Sequence, residues 1–196
     1  MHPPFRRFIA AALHALIAVA AAAQASEREP DVNYIPTPQH VVDDMLRLVD
    51  LRKDDVLYDL GSGDGRIPIT AAARYGTRAV GIDIDPVRID EAEANARQRG
   101  VDRLVSFRQE DLFQADFSDA TVITLYLFPD LNLKLRPRLL ATLRPGTRIV
   151  SHRFDMGDWR PDKTLTIGDT VVYFWTIPQP TSPAPRTLPR DAAGLP

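Results

Sequence analysis

Cysteine is missing from all 196 residues, which excludes disulfides, thiolate metal sites and the thiol nucleophile needed to attack a pyrimidine ring. An excess of positive charge is missing too. The 24 Lys and Arg stand against 26 Asp and Glu, for a formal charge of −2. No Lys/Arg cluster offsets that balance, so a partner held by phosphate contacts is not expected, and nucleic acid drops out of the candidate partners. A long apolar run is likewise absent. The longest, Phe8 to Ala23, has about sixteen residues and carries His14, short of the roughly 20 that span a bilayer. What is present, 44% hydrophobic and 26% charged residues, suits one globular domain with a single core.

The two ends differ from the middle. Arg6 and Arg7, the apolar stretch after them, and Ala23-Gln24-Ala25 read as a signal-like segment over residues 1–25 with a cleavage site before Ser26. Such a leader would place the protein in the periplasm or on the inner membrane, and in the cytoplasm if it is not used. Arg6-Arg7 followed by Phe8-Ile9 is a partial match to a twin-arginine signal. Residues 179–196 are Pro-rich without apolar periodicity and read as a disordered tail, leaving 26–178 as the folded domain.

Within that domain, short apolar runs alternate with helical patterns, the signature of a mostly parallel sheet with helices on both faces. Thr37 is placed to cap a helix that starts at Pro38 and buries Val41, Val42, Met45, Leu46 and Val49 on one face. Strands are expected at 56–60, 79–83, 105–109, 121–127, 148–152, 163–167 and 171–177, the last two as a hairpin around Gly168-Asp169. The run 121–127 has the continuous β-branched and aromatic content of a central strand. Asp85 is read as the cap of a helix opening at Pro86. Another helix is expected near 131–143, with Pro137 confined to its first turns or to a break, since a deeper proline costs about 3 kcal/mol.

Open α/β sheets bind ligands beyond the carboxyl ends of their strands. There the first strand runs into Gly61-Ser62-Gly63-Asp64-Gly65, whose glycines let the backbone turn and approach a ligand. Asp59 just before it and Asp64 within it would repel a pyrophosphate. A ligand bearing an ammonium and a sulfonium is suited instead, opposite charges at about 4 Å gaining on the order of 4 kcal/mol at an effective dielectric near 20. The loop therefore favours S-adenosylmethionine over NAD. Asp83 ends the second strand 22 residues past Gly61, the spacing of an acid that accepts from ribose hydroxyls. Asp111 follows the third strand, where it either accepts from the adenine amine or caps the next turn. A strand-end turn role for Asp59 and a solvated one for Asp64 stand beside the binding role. No metal is assigned.

The segments YDLGSGDGRI, GIDIDP and QEDLF in combination resemble the class I (seven-strand) S-adenosylmethionine-dependent methyltransferases, across about Tyr34 to Ile177. YIPTP before the first helix, LGSGDGRI, and RFDMGDWRPD with DTVVYFW near the end are similar to bacterial relatives of the ATP synthase c-subunit lysine methyltransferases. Archaeal protein-lysine methyltransferases resemble it in YIPTP and GSGDGRI. The resemblance implies a Rossmann-like seven-stranded sheet of order 3-2-1-4-5-7-6 with strand seven antiparallel. It also implies an active site above strand four and a protein lysine as acceptor. The sequence departs from the eukaryotic enzymes in carrying an exportable leader where they have a mitochondrial membrane segment.

Methylases of adenine or glutamine nitrogen place an Asn/Asp-Pro-Pro-Tyr turn after strand four; here the segment is Thr124-Leu125-Tyr126-Leu127-Phe128-Pro129, which argues against those acceptors. Methyl transfer needs alignment and dryness more than an acid or base. A lysine acceptor must be neutral, and an aromatic slot lined by Tyr34, Tyr126, Phe154 and Trp159 would disfavour its ammonium. Tyr126 and Tyr34 are the residues expected to face the transferred methyl, with packing as the alternative for each. His152 reads as a satisfied strand-end histidine. The competing functions are a small-molecule methyltransferase, which would need an inserted lid, and a binding module that holds the cofactor without catalysis.

Overall fold

Hydrophobic run and glycine stop alternate along the chain as the pattern requires, and the computed structural model describes residues 34–179. The leader expected over residues 1–25 and the tail beyond residue 179 lie outside them. Helix α1 (Gln39–Leu48) buries Val41, Val42, Met45 and Leu46. Strand β1 (Val56–Leu60) leads through the glycine loop into α2 (Arg66–Tyr75), which Gly76 ends in the left-handed conformation. β2 (Arg78–Asp83), α3 (Pro86–Arg99), β3 (Val105–Gln109) and β4 (Val122–Leu125) follow. Asp85 caps α3 by accepting from the Val87 N–H at 2.9 Å. α4 (Pro129–Thr142), β5 (Arg148–His152), β6 (Lys163–Ile167) and β7 (Thr170–Thr176) complete the chain.

The seven strands form one sheet of order β3-β2-β1-β4-β5-β7-β6, with β7 antiparallel to both β5 and β6. All four other pairings are parallel. β4 is buried along its whole length, and its side chains alternate between two cores. Val122 joins Leu57, Val150 and Val172 beneath α1 and α2, while Ile123 and Leu125 join Ile149 and Trp175 beneath α4. Each such aliphatic side chain contributes roughly 1.5–3 kcal/mol by leaving water, which makes the centre of the sheet its firmest part. No helix of the described residues is long and apolar enough to cross a membrane, and no three of their His, Asp or Glu side chains gather as a metal would need.

Two local expectations are corrected. Pro137 sits well inside α4, not in its first turns. It and Leu133, whose carbonyl the missing N–H leaves over, are both on the exposed face, so water can take that carbonyl. Thr37 does not cap α1, which begins at Gln39 without a side-chain cap. It lies too far ahead of the helix to reach its free N–H groups, and its Oγ1 lies 3.2 Å from His152 Nδ1 instead.

Candidate active site

The chain leaves β3 at one edge and re-enters the sheet as β4 on the other side of β1, so the sheet order reverses between β1 and β4. At such a switch point the loops diverge and leave a crevice. Here it has a volume of about 510 Å³, within the roughly 300–1,000 Å³ of small-ligand sites.

The glycine loop forms its floor. Gly61, Gly63 and Gly65 have φ of 84°, 52° and 77°, where a side chain is strained. Space forbids side chains as well: a Cβ on Gly63 would stand 2.2 Å from the Tyr34 ring, and one on Gly65 2.6 Å from Phe107. The loop is tied to β2 by the N–H groups of Gly61 and Ser62, which both donate to the Ile82 carbonyl at 2.8 and 3.0 Å. Asp83 completes the tie. Its Oδ2 accepts from the Gly63 N–H at 2.8 Å and its Oδ1 from the Asp85 N–H at 3.0 Å. A carboxylate offers about four acceptor positions, so two remain for a pair of vicinal hydroxyls.

Of the residues expected to bind cofactor, Asp59, Gly61, Ser62, Asp64, Asp83 and Asp111 line the crevice. Gly63 lies beneath Tyr34 and Gly65 against Phe107 and Ala92, so both shape the loop from outside the lining. The Ser62 hydroxyl is buried, with no hydrogen-bond partner, against the Gly81 backbone. The acids are not equivalent. Burial pushes the Asp59 carboxyl up to about 8, against the lowering effect of the Thr124 hydroxyl that donates to it at 2.6 Å, and Asp83 and Asp64 push it further up. Burial also raises Asp64, but the Arg66 guanidinium, 2.6 Å away, outweighs it and holds the carboxyl below its ordinary range. The expectation of an uncompensated charge at Asp64 is therefore corrected, because Gly65 turns the chain so that Arg66 folds back onto it. Asp111 accepts from the Phe113 N–H at 2.9 Å, the turn-capping alternative, while still lining the crevice.

Tyr34 and Tyr126 line the crevice as well. Tyr34 covers the glycine loop, with its ring 5.0 Å from the Arg88 guanidinium and burial raising its hydroxyl above the ordinary value. Tyr126 lies 4.1 Å from the His152 ring and 6.2 Å from Phe154, which in turn is 5.7 Å from Phe128. Asn132 positions Phe154 by donating to the carbonyls of Phe154 and Asp155, each at 3.2 Å. Trp159 belongs elsewhere: it packs 5.9 Å from Trp175 and accepts that indole N–H at 2.8 Å through its carbonyl. Its place in the aromatic slot is withdrawn, since it packs against the buried core around Trp175 of β7. Arg66, Arg88 and Asn132 were not expected from the sequence. Arg66 follows the loop directly and was legible, whereas Arg88 and Asn132 sit in helices with nothing in the spacing to mark them.

The donor set fits S-adenosylmethionine. Asp83 retains acceptor positions for the ribose, and Ile84 and Leu112 offer apolar surface beside Asp111 for the adenine. A sheet of this order with a reversed seventh strand, a glycine loop at the switch point and an acid closing β2 defines a class I S-adenosylmethionine-dependent methyltransferase. The sequence model of the ANTKMT methyltransferase domain matches residues 59–163, and the chain belongs to that family. It is 44% identical over 153 residues to the protein-lysine N-methyltransferase of Saccharolobus islandicus, spanning 76% of this chain and 95% of that one. It is 32% identical over 139 residues to the rat lysine N-methyltransferase of the ATP synthase c-subunit, 70% of this chain and 63% of that enzyme's length. A solved structure of an RNA methyltransferase from Salinibacter ruber with S-adenosyl-L-homocysteine is 57% identical, with a TM-score of 0.74 over 76% of this chain and 97% of that one.

Proposed function

We propose that this methyltransferase acts on a lysine side chain of a protein. The observation that carries the reading is the aromatic wall of Tyr126, His152 and Phe154 at the end of β4 and β5. S-adenosylmethionine supplies a methyl group on a sulfonium, activated toward in-line displacement. The protein's task is to present a neutral amine in line with it and to keep water out. An ammonium brought against this wall loses hydration, which lowers the pKa of the amine from its ordinary value of about 10.4 and frees the attacking lone pair. Burial, Arg153 and His40 depress His152 to about 4, so its ring adds no charge to the wall at neutral pH. The lysine-methylating relatives support the same acceptor.

A second reading, an RNA acceptor, is favoured by the name of the Salinibacter protein. Against it stand the formal charge of −2 and the lack, among the described residues, of a free cation in the crevice lining, where Arg66 is paired with Asp64 and Arg88 with Asp85 and Glu91. The described residues form no inserted cap over β4, as the small-molecule reading would need. Labelled cofactor incubated with lysate of a strain lacking the protein, then split into protein, RNA and small-molecule fractions, decides. Methyl-lysine in protein hydrolysate is the expected product, and label confined to RNA would overturn the reading.

Export is part of the proposal. The leader features between Arg6 and Ala25 support it, and sequencing the mature amino terminus tests it: Ser26 is expected first, and an intact Met1 in the cytoplasm would refute it.

A further inference from the structure

We propose that His152 is a positioning residue of the transfer site: it pins the strap of residues 34–38 to the end of β5 through Thr37 and sets the ring of Tyr126, on the acceptor side of the crevice. The inference rests on the reading of Tyr126 as a wall of the acceptor channel.

Register brings the two rings together. β4 and β5 run parallel with Leu125 opposite Ser151, so the next residues lie side by side, Tyr126 just past the end of β4 and His152 as the last residue of β5. Their ring centroids are 4.1 Å apart at an interplanar angle of 44°, so neither ring can turn without moving the other. Both imidazole nitrogens are engaged, Nδ1 with Thr37 Oγ1 at 3.2 Å and Nε2 with Thr170 Oγ1 at 3.0 Å. A neutral imidazole has one donor and one acceptor nitrogen, and a hydroxyl can serve as either, so both bonds are satisfied in either tautomer. One side chain thereby ties together three segments remote in sequence.

Tyr34, Ile35, Pro36 and Pro38 stand exposed around Thr37, and of the five only Thr37 is buried, at 3% exposure. The other attachments of the strap lie on the cofactor side, where the Tyr34 ring covers Gly63 and stands 5.0 Å from the Arg88 guanidinium. On that side too, Arg66 Nη1 donates to the Thr37 carbonyl at 2.9 Å. Cutting the His152 bond should therefore loosen the strap on the acceptor side while Arg66 still holds it beside the glycine loop. A residue that only filled space here would be aliphatic. Burying an imidazole is worthwhile only when both nitrogens find partners, and here those partners lie on the strap and on β7.

The test uses the full chain saturated with S-adenosylhomocysteine and follows amide hydrogen exchange over residues 34–42, with 122–125 in β4 as internal control. Thr37→Val and His152→Phe should each speed strap exchange about tenfold, as expected for one lost buried hydrogen bond, with the β4 control unchanged. The double variant should be no faster than either single one, and Thr37→Ser should match the parent. Calorimetry should show S-adenosylhomocysteine affinity within about twofold of the parent, less than the change of about fivefold or more that a lost cofactor contact would cause. With labelled cofactor and protein acceptor, Thr37→Val should raise KM several-fold at nearly constant kcat, while His152→Gln lowers kcat as well. Unchanged strap exchange, additive effects in the double variant, or affinity falling in step with exchange would overturn the proposal. Neither exchange nor calorimetry requires an acceptor. If the parent makes no methyl-lysine, the lysine reading fails, and those two measurements still decide the role of His152.

Discussion

Asp83 at the end of β2 accepts a hydrogen bond from the backbone N–H of Gly63 at 2.8 Å, so the acid meant for the ribose also holds the glycine loop in place. The cofactor site is built by the residue that reads the cofactor, and its removal acts twice.

Asp83→Ala should weaken S-adenosylmethionine by about 1 to 3 kcal/mol through lost charge-assisted hydrogen bonds, with part of the loss arising from a loosened loop. Asp83→Asn keeps one acceptor oxygen and should fall between. Calorimetry on the three proteins checks this, and NAD should show no binding to the parent.

Asp59 should make the cofactor-free protein less stable as pH rises. Its folded carboxyl titrates near 8 against an ordinary 3.8, so between those values the folded state holds a proton that the unfolded chain has released. The unfolded state then binds fewer protons, and stability falls with increasing pH across that window. Urea unfolding between pH 4 and 8 should show the decline in the parent and a flatter profile in Asp59→Asn. An equal slope in both proteins would remove Asp59 as its source.

Gly63→Ala should abolish most cofactor binding, because its Cβ would enter the Tyr34 ring at 2.2 Å and its φ of 52° is strained for alanine. Adding Tyr34→Ala relieves the collision and leaves the strain. Binding by the double variant should therefore recover in part, and full recovery would mean the backbone conformation matters little.

If Tyr126 walls the acceptor channel, Tyr126→Ala should lower turnover at least tenfold with cofactor affinity nearly unchanged, since the change also removes the ring that packs 4.1 Å from His152. Tyr126→Phe should keep much of the activity, the ring face contributing about 0.5 to 2 kcal/mol toward a cation. Parental turnover in Tyr126→Ala would return the residue to a packing role.

Much of this was written into the sequence because its causes are local. The run 121–127 reads as a central strand since burial on both faces demands continuous apolar side chains, and the strand that forms within it, Val122–Leu125, is buried throughout. Asp59, Asp83 and Asp111 stand at strand ends, and in a parallel sheet all such ends open on the same crevice. Gly61-Ser62-Gly63-Asp64-Gly65 announces a tight turn because few other residues tolerate positive φ.

Only the tertiary structure decided what these residues do to one another. Thr37 reads locally as a helix cap, but 115 positions on His152 arrives beside it and takes its hydroxyl. Asp59 is an acid in the sequence and a carboxyl titrating near 8 in the fold, because protonation depends on the water that α2, β2 and β4 exclude. Trp159 and Phe154 look alike as aromatic residues after β5, yet Trp175 draws one onto the core at β7 while Asn132 ties the other beside Tyr126. Periodicity and turn chemistry act between neighbours in the chain and are legible there. Hydrogen-bond partners and desolvation arise from neighbours in space, which exist only once the sheet has closed around them.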